Sequence, residues 1–306
     1  MTVPASAPRM DLATWGLLVA LGLLWGGSFF FARIAVAHIP PLTLVLGRVA
    51  IAAATLHLVF RRTPGFYAIL RARASDFAVM GLLNNVIPFT LIFLGQIHNG
   101  AGLASILNAT TPLWTVIAAQ ALTADERIST AKVVGCVLGL AGTVALLGPA
   151  ALSAGEVPFW ALMAGIGGAV SYGFAAIWGK RFAGVPPRAT ATGQLTASTV
   201  VMLPIALLVD RPFALPAPPA GAVAAVVALA LVSTAVAYIL YFRIMAKAGA
   251  TGASLVTLLV PPSAILLGVL FLGERLSMNE LAGFALIALG LLSLDNRLAI
   301  RRRGNA

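Results

Sequence analysis

Apolar residues occupy this chain in runs of about 20, each closed by a short polar or turn-forming break and none carrying the polar outer face of a soluble helix. A hydrocarbon core of about 30 Å takes some 20 helical residues to cross. On that length the pattern predicts ten spans, near 14–37, 42–60, 77–97, 101–122, 131–148, 157–178, 190–209, 221–245, 250–272 and 279–295. Turn chemistry marks the breaks: Ile39-Pro40-Pro41, His98-Asn99-Gly100, Pro186-Pro187 and the proline cluster over 214–220. The first run is too long for the apolar region of a secretory signal and no small-residue cleavage site closes it, so it reads as a retained span.

Composition agrees with the pattern. Hydrophobic residues make up 60% of the 306 and charged residues 9%, against about 25% charged in ordinary soluble domains. The bilayer is therefore the expected solvent and lipid the expected surroundings. The formal charge of +11 does not point to nucleic acid, because Lys and Arg sit in short clusters between apolar runs rather than on one face. With the N-terminus in the cytoplasm, sixteen of the 20 basic residues fall in inner segments, among them Arg61, Arg62, Arg71, Arg73, Lys180, Arg181 and the 301–303 cluster. Only Arg33, Arg211 and Arg275 fall outside, and Arg48 lies within the second span. This positive-inside bias predicts cytoplasmic positions for both termini. Cys136, the single cysteine, sits in an apolar run and allows no intrachain disulfide.

The chain also repeats itself. Ala104, Ser105 and Pro112 recur as Ala253, Ser254 and Pro261 at a spacing of 149, while Glu126, Arg127, Ser129, Gly135 and Gly142 recur at a spacing of 148. Earlier in the halves Gly27, Pro40, Pro41 and Arg48 correspond to Gly173, Pro186, Pro187 and Gln194 at 146. The predicted units are 1–148 and 149–306. Five spans per unit is an odd number, so the second must enter the membrane from the opposite side. Inverted halves suit alternating access to a central site.

The segments ASILNATTP from Ala104 with ERIS from Glu126, and ASLVTLLVP from Ala253 with ERLS from Glu274, carry a family resemblance together with WGGSFF from Trp25, GRVAIAA from Gly47 and STAVAYILYF from Ser233. The chain resembles the EamA family of the drug/metabolite transporter superfamily over nearly its whole length. The resemblance implies an all-α bacterial inner-membrane exporter with a cavity contributed by both halves, and a small-molecule substrate of the amino-acid or aromatic amino-acid class. It leaves the oligomeric state open.

Polar groups inside a membrane are costly unless paired or hydrated, so their positions carry most of the functional information. No acidic residue falls near the middle of a predicted span, which removes a carboxylate relay for cationic drugs. Only Arg48 supplies an intramembrane cation, too little for a phosphorylated solute. The expected substrate is neutral or zwitterionic. Arg48 has two readings, a structural one with the guanidinium snorkelling or bonded to another helix, and a binding one with it on a substrate carboxylate. Candidate hydrogen-bonding groups are Ser28, Asn84, Asn85, Asn108, Thr111, Ser171 and Thr257, which equally suit helix–helix bonds. Candidate aromatic walls are Trp25, Trp114, Tyr172, Tyr238 and Tyr241. Pro88, Pro112, Pro204, Pro261 and Pro262 should interrupt helical bonding, with Pro88, Pro112, Pro261 and Pro262 the candidate gating kinks. The three histidines are scattered, and neither an HExxH nor a GxSxG motif occurs, so enzyme chemistry, a metal and a cofactor are not expected. The competing membrane functions are export of other small metabolites or drugs, and a channel or scaffold without carrier activity.

Overall fold

Every regular element in the computed structural model is helical over the residues it describes, 11–99, 101–123, 128–152, 157–263 and 278–294. The ERIS and ERLS motifs, apart from Ile128 and Ser129, lie outside the described residues, as do the C-terminal arginine cluster and residues 264–272 of the ninth expected span. In chain order the helices are α1 (Leu12–Val36), α2 (Pro41–Phe60), α3 (Phe66–Ala72), α4 (Ala74–Gly81), α5 (Ile87–His98), α6 (Ala101–Asn108) and α7 (Thr111–Leu122). They continue as α8 (Thr130–Leu152), α9 (Phe159–Gly179), α10 (Pro187–Val209), α11 (Ala220–Ala230), α12 (Ala237–Ser254), α13 (256–263) and α14 (Met278–Leu294). Six continuous helical segments are long and apolar enough to cross a membrane: Leu12–Val36, Pro41–Phe60, Ala74–His98, Phe159–Phe182, Pro187–Val209 and Ala220–Ser254. Thr130–Ala145 and Leu281–Ser293 are shorter apolar stretches.

Helix starts follow local chemistry. Asp11 caps α1 by accepting from the amide and hydroxyl of Thr14, which holds its carboxyl below the usual carboxylate range. Pro41 and Pro187 open α2 and α10, where a missing N–H costs nothing. The α2 start is finished from another helix, because Asp210 at the end of α10 accepts from Thr43 N at 2.7 Å and Thr43 Oγ1 at 2.9 Å. Pro204 does not break α10, contrary to expectation, and Pro261 and Pro262 lie within the helical residues of α13.

Two spans depart from α geometry in matching ways. Leu82–Val86 joins α4 to α5 and Leu231–Val236 joins α11 to α12, each as a π turn, and their starts are separated by the repeat spacing of 149. Behind the first stands Pro88, which has no N–H to offer the Asn84 carbonyl four residues back. That carbonyl accepts instead from the Tyr238 hydroxyl at 3.0 Å. The second π turn has no proline, and Thr234 Oγ1 donates to the Leu229 carbonyl at 2.7 Å.

The fourth and ninth expected spans are not continuous helices. The first stops at Asn108 and resumes at Thr111, with Pro112 in the new first turn. In the second half the chain turns at Gly249 (φ 72°, ψ −177°) and again at Leu255, where Leu258 N reaches back only three residues, 3.1 Å to the Leu255 carbonyl. A positive φ at Gly249 is open to glycine at little cost.

Packing respects the repeat. Two helices lie against their own counterparts, α2 on α10 and α8 on α14. In the latter pair a Cβ on Gly142 would meet Gly283 O and Ile287 N at 2.8 Å each, and one on Gly290 would meet Gly135 O at 2.7 Å and Gly139 N at 2.8 Å. Because 135, 139 and 142 correspond to 283, 287 and 290, the two contacts are the same contact seen from either half. Lacking Cβ atoms, the backbones approach closely.

Candidate functional site: a cavity between the two halves

A cavity with about 690 Å³ of unfilled space, its opening included, lies between the halves. Its walls come from α1 (Trp25, Ser28, Phe29), α2 (Arg48), the first π turn and α5 (Asn84, Phe89, Phe93, Gln96), and α6 and α7 (Asn108, Thr111). The second half contributes Tyr172 from α9, Tyr238, Tyr241 and Ser254 from α12, and Thr257 from α13.

The two π turns are bonded to residues of the cavity wall or supply one themselves. At the second, the Ser233 carbonyl accepts from Trp25 Nε1 at 3.2 Å and from Arg48 Nη2 at 3.4 Å, while Ser233 Oγ donates to the Leu24 carbonyl at 2.7 Å. At the first, Ser171 Oγ donates to the Leu83 carbonyl at 2.7 Å, and Asn84 Nδ2 donates to Gln194 Oε1 at 3.0 Å. Arg48 with Ser233 and Gln194 with Asn84 are therefore corresponding pairs, one in each half. Widened turns expose carbonyls inside the membrane, and side chains from the opposite half satisfy them.

Residues 14–148 and 159–294 each match the EamA-like transporter family. The chain belongs to that family. This EamA-like transporter is 26% identical to a probable terminal-alkyne amino-acid exporter of Streptantibioticus cattleyicolor over 96% of its own length and 97% of the relative's. It is 29% identical to an uncharacterized inner membrane transporter of Escherichia coli, covering 89% of this chain and 87% of that one. A solved crystal structure at 23% identity superimposes with a TM-score of 0.72, over 93% of this chain and 99% of the other, and shows the same fold. The protein is thus a membrane transporter built of two EamA repeats, and its partners are the bilayer and a small-molecule substrate.

Of the residues expected to bind, the transporter brings Trp25, Ser28, Asn84, Asn108, Thr111, Tyr172, Tyr238, Tyr241 and Thr257 to the cavity wall, with Arg48 among them. Asn85, Trp114 and Ser171 do not line it. Asn85 is held behind the wall, donating to Ser198 Oγ at 2.8 Å and accepting from the Tyr238 hydroxyl at 2.6 Å. Trp114 packs where Gly173 leaves room, with its Nε1 donating to Thr110 Oγ1 at 3.2 Å. Among the four gating candidates none lines the cavity, but the hydroxyls beside the helix breaks do: Thr111 Oγ1 donates to Asn108 O at 2.7 Å and Thr257 Oγ1 to Ser254 O at 2.9 Å.

Sequence reasoning missed Phe89, Phe93, Gln96 and Ser254. Gln96, a polar side chain inside an expected span, was open to the same argument that singled out the asparagines; its Nε2 reaches Phe29 O at 3.4 Å and its buried Oε1 has no partner among the described residues. Ser254 is the repeat counterpart of Ser105. Phe89 and Phe93 are one turn apart, and only their stacking beneath Arg48, at 3.8 Å and 5.9 Å from the guanidinium carbon, reveals a role. Among the described residues no group of His, Cys, Asp or Glu is arranged to hold a metal.

Proposed function

We propose that this transporter exports small neutral or zwitterionic metabolites, amino acids above all, by alternating access through the cavity between units 1–148 and 149–306. In this reading ten spans cross the bacterial inner membrane, both termini face the cytoplasm, and the second unit is inverted relative to the first. The observation that carries it is the chemistry of the cavity wall: aromatic rings and hydroxyls from both halves, amides and one guanidinium from the first, and no carboxylate among the described residues. Such a wall accommodates an apolar side chain and dipolar groups while offering a dianionic phosphate too few cations. The probable amino-acid exporter among the relatives supports the substrate class. The helix breaks at Asn108–Thr111 and at Leu255, one in each unit, serve in this reading as paired gating elements, since a broken helix bends where its carbonyls are already capped by side chains.

Counterflow in proteoliposomes tests the proposal. Vesicles loaded with a neutral amino acid should accumulate the labelled solute saturably, with sugar phosphates inactive and a pH gradient applied in a parallel set. Sugar-phosphate transport without amino-acid transport would overturn the substrate class, and non-saturable flux would replace the carrier with a channel.

A further inference from the structure

Arg48 is 5% exposed, lies about two turns into α2, and forms part of the cavity wall. Its Nε donates to Thr234 Oγ1 at 2.7 Å and its Nη2 reaches Ser233 O at a long 3.4 Å. A guanidinium carries five N–H donors. Three are left without a partner among the described residues, and the face of the group is closed by the Phe89 ring at 3.8 Å. The described carboxylates are engaged elsewhere: Asp11 caps α1, Asp76 lies near Arg73 and Arg181, and Asp210 caps α2. No acid among the described residues lines the cavity.

A buried cation with unfilled donors is costly, and the cost is relieved by an anion whose geometry matches the guanidinium fork. A carboxylate is that anion. For an ammonium group the cavity has no such counterpart. It offers Gln96 Oε1, the Asn108 side chain and the hydroxyls of Ser28, Tyr172 and Tyr241, none of which has a hydrogen-bond partner among the described residues, together with ring faces. These are dipoles and quadrupoles, weaker than a charge pair in a medium of low dielectric. The two ends of a zwitterion are therefore recognised unequally.

Resting on the reading of this cavity as the substrate site, we propose that Arg48 is a specificity-determining residue that takes the substrate's carboxylate, and that the carboxylate is obligatory while the ammonium is dispensable. The transporter then accepts 2-hydroxy and 2-oxo acids that share a side chain with its amino acids, and rejects the corresponding amides and amines. Orientation follows from the repeat. The position equivalent to Arg48 is the neutral Gln194, whose Oε1 is already taken by Asn84, so the carboxylate is held on the Arg48 side of the cavity.

The aromatic wall makes a phenyl series the natural probe. Binding of phenylalanine, phenyllactate, phenylpyruvate, phenylalaninamide and phenethylamine is measured by calorimetry on the purified full-length protein in lipid nanodiscs. The expected result is that phenyllactate and phenylpyruvate bind within about tenfold of phenylalanine, whereas the amide and the amine bind about 100-fold more weakly or not at all. Arg48→Gln should weaken the three acids by about 100-fold and leave the amide unchanged, with Arg48→Lys in between because it keeps the charge and loses the fork. Equal affinity for phenylalanine and its amide, or unchanged phenylalanine binding by a folded Arg48→Gln protein, overturns this inference alone. Binding of none of the five overturns the amino-acid reading of the cavity along with it. If Arg48→Gln fails to fold, the ligand series on the unaltered protein still decides.

Discussion

The crossing of α8 and α14 admits a quantitative test. Gly142→Ala places a methyl group 2.8 Å from two backbone atoms, Gly283 O and Ile287 N. Ordinary van der Waals contact begins near 3.4 Å, so the helices must part by about 0.6 Å or tilt, and neither backbone atom can rotate aside as a side chain would. Overpacking of this kind costs about 1–3 kcal/mol. Against it stands the gain from replacing a helical glycine with alanine, up to about 1 kcal/mol. With the full gain taken, the net loss expected is about 0–2 kcal/mol, a fall in melting temperature of up to roughly 8 °C and a melt below that of the glycine-to-alanine controls. Gly290→Ala should do the same, because its methyl would meet Gly135 O and Gly139 N at 2.7 and 2.8 Å. Gly16→Ala and Gly221→Ala, where nothing lies within 4 Å, are the controls and should be neutral or slightly stabilising. Thermal unfolding in detergent, followed by the soluble monodisperse fraction after heating, reads all four. If Gly142→Ala and Gly290→Ala melt at or above the controls, the close crossing is not a constraint on the fold. If only one of them is affected, the two contacts are not equivalent.

Three further expectations follow from other contacts. Tyr238→Phe removes the donor shared by Asn84 O and Asn85 Oδ1, and should destabilise the protein by about 1–2 kcal/mol while weakening substrate binding, measured by melting and by calorimetry together. Asp210→Ala takes the cap from α2 and should cost about 0.5–2 kcal/mol in the same melting assay, with Asp210→Asn recovering part of it; an unchanged melt for Asp210→Ala would show that water caps Thr43 equally well. In a Cys136→Ala background, a membrane-impermeant thiol reagent applied to intact cells should label a cysteine placed at Ala217 and leave one placed at Arg62 untouched, and the reverse pattern would invert the topology.

Much of this architecture was legible because the bilayer imposes a length rule: apolar runs closed by Pro40-Pro41 or Pro186-Pro187 begin helices within a few residues of where the pattern puts them. Arg48, Asn84 and Tyr238 were legible as polar or amphipathic groups at membrane depth, where burial demands a partner. Pro88 and Pro112 marked two of the interruptions, but not that one is a π turn and the other a break, and the π turn at Leu231–Val236 carries no such mark. A π turn and an α turn use the same residues and differ in which carbonyl each amide meets, so Leu82–Val86 looks like uninterrupted apolar helix with two asparagines. The placement of Trp114 escaped the sequence as well: beyond the break before Thr111 its Cβ packs against Gly173 and its Nε1 donates to Thr110 Oγ1, and the residue does not line the cavity. Asn85 follows Asn84 directly, and a single residue step turns its side chain from the cavity to Ser198.

The matched π turns also bear on how the molecule came to be. A π turn closes its hydrogen bond one residue later than an α turn, so each is the trace of one extra residue in an otherwise regular helix. Two independent insertions would have to strike the same register in both halves, at Leu82 and at Leu231, and then be retained in each. One insertion in a single ancestral half, copied when the gene doubled, accounts for both. The distortion is then older than the fusion, and the two copies have since diverged, Pro88 standing behind one turn while Thr234 holds a carbonyl at the other.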